Sequence, residues 1–275
     1  MMKRSTSSQQ QRGFTLVEAV IVIAITGIIA AMVAVFIQKP IQGYFDSARR
    51  AELTDIADTA VRRIARDLHL ALPNSVRVTT SGAVTYLEFL QTSGGGRYRA
   101  AVDNAGAGNI LDFTQTTTSF DVLGPPVATV VGEQNLMAVY NQGVGVTNAD
   151  AYAGGNTTAI NGIAGNTVSI ASKLFPFASP AGRFQIISYP VTFVCDPAAQ
   201  TLTRVWNYPI QAAQPTSFVA ATSSALLAKN VTSCAFTYDA NVITQRAGLV
   251  AMALQLTQSG ESVNLYHEVH VSNVP

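Results

Sequence analysis

Apolar and polar positions divide the chain into a uniformly apolar run, an amphipathic stretch and a long remainder with strand-like alternation. From Phe14 to Ile37 there are 24 consecutive residues with one charge, Glu18. At ~1.5 Å per residue, a helix of that length covers the ~30 Å hydrocarbon core of a bilayer. The run therefore predicts a membrane-spanning helix. Pro40 and Gly43 follow and should interrupt it, kinking or loosening the helix just beyond the membrane. Between Tyr44 and Leu72 the apolar positions Leu53, Ile56, Ala60, Ile64 and Leu68 recur every three or four residues, which predicts an amphipathic helix ending at Pro73. Asp58 with Arg62 and Arg63 with Asp67 form i,i+4 pairs on its other faces. Arg62, Arg63 and Arg66 are read as a solvated face rather than a basic patch.

Strand signals take over after the helix. Val76–Thr80 and Ala83–Leu90 flank Ser81-Gly82 as a hairpin, and Gly94-Gly95-Gly96 reads as a flexible turn. Residues 97–172 are rich in Gly, Asn, Thr and Ala and are the least patterned. Here Phe120–Leu123 and Val127–Val131 are β-like, Glu133–Tyr140 suggests a helical turn, and Gly143-Val144-Gly145 reads as a turn rather than a dinucleotide loop. From Arg183 the pattern sharpens into Phe184–Cys195, Leu202–Tyr208, Val231–Tyr238, Leu249–Thr257 and Val263–Val271. The turns at 196–200 and 259–261 make these hairpins of a mostly antiparallel sheet.

Charge adds a direction. The 13 residues ahead of Phe14 carry Lys3, Arg4 and Arg12 and no acid. By the positive-inside rule the N-terminus stays cytoplasmic and the domain from residue 38 onward is exported. Beyond that segment 14 Lys+Arg face 16 Asp+Glu, so a basic footprint for nucleic acid is absent and no nucleic-acid partner is expected. The two cysteines, Cys195 and Cys234, would most economically form a disulfide outside the cytoplasm, enclosing a loop from Tyr208 to Asn230.

Catalytic chemistry finds little support. His267 and His270, three apart on a strand, face opposite sides and cannot share a metal; His267 fits a core position, and His69 stands on the amphipathic helix. There is no G-x-S-x-G elbow and no HExxH. No enzyme activity, metal or cofactor is expected, and the sequons at Asn156 and Asn230 carry no weight.

Gly13-Phe14-Thr15-Leu16-Val17-Glu18, leading into an apolar helix, resembles the N-terminus of type IV pilins and of type II secretion pseudopilins. An acid inside a span costs up to ~3 kcal/mol at mid-membrane, so Glu18 calls for a partner or a role. The resemblance implies cleavage after Gly13 by a prepilin peptidase and N-methylation of Phe14. It also implies docking of Glu18 against a neighbouring subunit's N-terminal ammonium as helices pack in a filament. It further implies an α+β pilin-like fold, with a long N-terminal helix whose transmembrane half is continued by an amphipathic half packed on a mostly antiparallel β-sheet domain. The expected divisions are a leader at 1–13, a transmembrane helix at 14–37, its amphipathic continuation at 38–72 and an extracytoplasmic globular domain at 73–275.

Shorter pieces, among them Arg66-Asp67-Leu68, Ala71 to Arg77, Tyr152-Ala153-Gly154, Arg183-Phe184-Gln185, Val194-Cys195, Arg204 to Pro209 and Val269 to Pro275, resemble minor pilins of mannose-sensitive haemagglutinin (MSHA) pilus biogenesis. No proline lies between Gly27 and Gln38, and the globular domain is large; both favour a minor subunit over a major one. The implied partners are other pilins, the prepilin peptidase and an inner-membrane assembly platform. The implied location is the bacterial inner membrane with a periplasmic domain, then a pilus or pseudopilus. A type II secretion minor pseudopilin is the alternative in the same class. A tip adhesin binding glycans or surfaces is another, and for it Trp206 is a candidate contact as well as a core residue.

Overall fold

A computed structural model describes residues 13–219, 222–240 and 247–275. Lys3, Arg4 and Arg12, the cations ahead of the apolar run, lie outside the described residues. Among the described residues one long N-terminal helix, α1 (Leu16–Leu68), is followed by twelve antiparallel-paired strands, giving an α+β, pilin-like architecture. The chain divides into two compact units, the first ending at Arg50 and the second running from Ala51 to Pro275.

In the first unit α1 runs through Pro40 and Gly43 instead of being interrupted there. Proline removes one N–H and crowds the preceding turn at a cost of about 3 kcal/mol. The strong helix formers on both sides, Ala30-Ala31-Met32 and Ala48-Arg49-Arg50 among them, sustain the ladder around it. Its apolar side chains are uncovered all round: Phe14, Leu16, Ile23, Met32 and Phe36 are each more than 60% exposed.

In the second unit the last turns of α1 bury Leu53, Ala57, Ala60, Val61, Ile64 and Leu68. These side chains share one core with Leu87 and Phe89, with Val191 and Phe193, and with Val250, Met252, Leu256 and Val269. The helix stops at Leu68 rather than at Pro73 because tertiary pairing captures the next residues. Leu70 and Ala71 N–H groups bond back three residues, and Leu72 N–H then donates to Leu90 O at 2.8 Å.

The larger sheet has nine strands in the order β1 (Arg77–Ser81), β2 (Val84–Tyr98), β3 (Thr117–Leu123), β6 (Thr167–Lys173), β5 (Thr157–Ala164), β4 (Leu136–Ala138), β7 (Arg183–Asp196), β8 (Thr201–Trp206) and β9 (Ser223–Lys229). Because β2 also pairs with β7 along almost its whole length, the ladder β2-β3-β6-β5-β4-β7 closes on itself. A second core fills that ring, with Phe120, Phe175, Phe184, Met137 and Ile170 at its centre. A separate three-stranded sheet contains β10 (Val231–Asp239), β11 (Ala247–Gln258) and β12 (Glu261–Ser272). Gln258 faces Glu261 in register, and Ser259 and Gly260 both have positive φ, 50° and 87°. These are the conformations a two-residue type I′ hairpin requires.

Four local expectations are corrected. Gly94-Gly95-Gly96 is not a turn but part of β2, where a Cβ on Gly95 would lie 2.5 Å from the Phe184 carbonyl oxygen. The glycines permit that close approach as β2 passes into the ring. Glu133–Tyr140 contains the strand β4 rather than a helical turn, and Val127–Val131 forms no strand. The loop from Tyr208 to Asn230 contains β9, which pairs with β8. Its weak alternation, with Ala228 as the buried residue, explains why the pattern failed to show it.

Candidate functional site

The N-terminal site begins at the first helical turn. Thr15 sits just ahead of α1, and its Oγ1 accepts a hydrogen bond from the Glu18 N–H at 3.3 Å. The Thr15 carbonyl accepts from Ala19 N–H at 3.1 Å. Thr15-x-x-Glu18 thus has the spacing of a capping box, with a threonine N-cap and an acid at the third helical position. The reading of Glu18 as a membrane-embedded charge with a docking role leaves out this local one, although the four-residue spacing is visible in the sequence. An acid in the first turn also complements the positive end of the helix dipole. Gly13 and Phe14 precede the helix, Phe14 is 75% exposed, and Glu18 is exposed as well. The arrangement leaves the Gly13–Phe14 bond outside hydrogen-bonded helix and a carboxylate free on the first turn.

Beyond that turn, α1 is long and apolar enough to cross a membrane. Past the end of the apolar run, within α1, Tyr44 and Phe45 are exposed and meet edge to face at 5.8 Å. Paired aromatics just beyond an apolar run suit the membrane–water interface.

In the globular unit Cys195 on β7 and Cys234 on β10 form a disulfide with Cα atoms 6.4 Å apart. It ties the nine-stranded sheet to the three-stranded one. His267 is half-buried on the inner side of β12 and His270 is exposed on the outer side. Among the described residues no group of three or more His, Cys, Asp or Glu is placed to hold a metal ion. Trp206 is half-buried, with the Arg204 guanidinium 4.6 Å from its ring centre.

Two buried ionic clusters escaped the sequence reading. In the first, Arg77 Nε donates to Glu88 Oε2 at 2.6 Å and the Tyr208 hydroxyl donates to Glu88 Oε1 at 2.9 Å. Thr192 Oγ1 hydrogen-bonds the same tyrosine oxygen. Arg77 also donates to the carbonyls of Ala212 and Gln211 at 2.6 and 2.9 Å, and its guanidinium lies 3.5 Å from the centre of the Tyr152 ring. Burial raises the Glu88 carboxyl above the ordinary carboxylate value, opposed by Arg77 and Tyr208. Burial, with the Glu88 charge beside it, likewise pushes the Tyr208 phenol far up. The cluster is a clamp that fixes the segment after β8 onto β1 and β2. The second cluster joins Asp67 of α1 to Arg204 of β8 at 2.7 Å, and Arg204 reaches on to Gln91 Oε1 at 2.9 Å. Nothing in the local pattern distinguishes these charges from solvated ones.

Residues 8–34 match the family model of the prokaryotic N-terminal methylation motif. No curated protein matches the chain. No solved structure matches it either. The motif supports a type IV pilin-like or pseudopilin-like subunit, a class that is structural rather than enzymatic and that works through other pilins and a prepilin peptidase. Motif and apolar helix together fit a membrane-anchored pilin.

Proposed function

We propose that the chain is a minor subunit of an MSHA-type pilus, resembling MSHA pilus biogenesis protein O, and acts in pilus initiation or at the tip. In this reading the prepilin peptidase cuts after Gly13 and Phe14 is N-methylated. The exposed first-turn carboxylate of Glu18 then takes a neighbouring subunit's N-terminal ammonium as its counter-charge. The observation that carries the reading is the methylation motif running directly into a helix whose apolar side chains have no cover of their own. Removed from lipid, such a helix requires other helices around it. The globular domain faces the periplasm, as the cationic leader and the disulfide favour.

The motif is shared with type II secretion pseudopilins, which makes a minor pseudopilin the second reading. Deletion separates the two: loss of surface pili supports the first, and loss of exoprotein secretion with pili intact supports the second.

The role of Glu18 is tested by Glu18→Ala in a host lacking the wild-type gene. The expected outcome is normal membrane fractionation and processing, with loss of crosslinking to other pilins and a sharp fall in surface pili. Glu18→Gln should behave alike, since it keeps the shape but not the charge. Unchanged pilus numbers in both variants would leave Glu18 as a helix cap and no more.

A further inference from the structure

Arg97 of β2 and Arg183 of β7 are register partners, and both are exposed. Directly opposed residues on antiparallel strands project to the same face, where like charges repel. Neither guanidinium has a hydrogen bond or ion pair among the described residues. Asp121 on the adjoining strand β3 is already paired, 3.5 Å from Arg99. The fold thus places two cations side by side on one face, with no acid paired to either among the described residues.

The pair borders a groove of about 470 Å³ lined also by Gly95, Leu123, Pro125 and Gln185. Its floor at Gly95 is bare backbone, because the Phe184 carbonyl approaches too closely for a side chain there. Gln185 Oε1 is shielded from solvent and has no hydrogen-bond partner. A buried acceptor left in that state is costly unless something donates to it.

We propose that this groove binds a carboxylated sugar. The two guanidinium forks match a carboxylate, Gln185 Oε1 accepts from a ring hydroxyl, and Leu123 and Pro125 face the apolar side of the ring. An acidic peptide added as a strand fits less well, since it needs a free sheet edge. β2 is paired on both edges at Arg97, and β7 on both edges at Gln185. Recognition here must come from side chains above a closed sheet, which suits a compact ligand.

The test titrates the full chain in detergent with glucuronate by calorimetry, with glucose, inorganic sulfate and a glutamate-rich peptide in parallel. Saturable binding of glucuronate but not glucose is expected. Arg97→Gln and Arg183→Gln should each weaken it by roughly ten-fold or more, as the loss of one charge-assisted contact implies. Thermal midpoints should stay level or rise, because either change relieves the like-charge contact. The absence of saturable glucuronate binding, or equal binding by both variants, would overturn the proposal. So would sulfate displacing glucuronate at equal concentration, or tighter binding of the peptide.

Discussion

Arg204 Nε on β8 lies 2.7 Å from Asp67 Oδ2 in the last turn of α1, and both side chains are more than 90% buried. The contact fastens the end of the helix to the sheet by charge as well as by the apolar stripe. Breaking a buried pair from one side leaves an uncompensated ion, which typically costs about 3–5 kcal/mol. Arg63, 3.2 Å from the other Asp67 oxygen, is half exposed and compensates only in part. Arg204→Leu should therefore lower stability by about 3 kcal/mol in denaturant melts. The double variant Asp67→Leu/Arg204→Leu should lose clearly less than the two single losses combined. Additive losses would show that the pair is not coupled.

Arg77 and Glu88 give a pH-dependent counterpart. Burial holds the Glu88 carboxyl above its ordinary 4.5, so the folded chain retains that proton more tightly than the unfolded one. The associated stability is fully present below the ordinary value and is lost as pH rises through the raised one. Arg77→Leu removes the main opposing charge and moves the carboxyl further up. Thermal midpoints of this variant should fall well below wild type at pH ~7 and approach it as pH drops toward the carboxylate range. A deficit that stays constant across that range would mean that the loss comes from the contacts to Gln211 and Ala212 rather than from an unpaired buried charge on Glu88.

The disulfide is the third lever. Cys195 and Cys234 are separated by 39 positions, and the chain-entropy model assigns closure of such a loop about 4 kcal/mol. Cys195→Ser/Cys234→Ser should lose stability of that order, and reduction of the wild type should reproduce it. A loss under about 1 kcal/mol would place the stabilisation in packing between the two sheets rather than in the crosslink.

What the sequence made legible follows from how far each signal reaches. Leu53, Ala60, Ile64 and Leu68 announce a buried helical stripe because their spacing alone places them on one face. The strands from Arg183 onward announce themselves by alternation and sharp turns. β4 and β9 do not, since a three-residue strand and one with Ala228 as its buried residue carry too few apolar positions to set a period. Gly94-Gly95-Gly96 misleads because its strand identity depends on Phe184, 88 positions beyond Gly96 in the chain. Asp67 misleads likewise: its i,i+4 partner Arg63 is genuine, but the contact that buries it comes from Arg204, 137 residues away. At the N-terminus Gly13, Phe14 and Glu18 were legible as a motif. The cap formed by Thr15 was legible too, but was hidden behind the membrane reading of the same acid.

The central claim is that this chain is processed and assembled as a pilin-like subunit, and the identity of its first residue in the native envelope tests it most directly. Mass spectrometry of the N-terminal peptide, taken from membranes or sheared filaments, should find Phe14 at the terminus carrying a single added methyl group. A chain recovered from that material with Arg12 and Gly13 still attached to Phe14 would contradict the account and leave α1 as a plain membrane anchor.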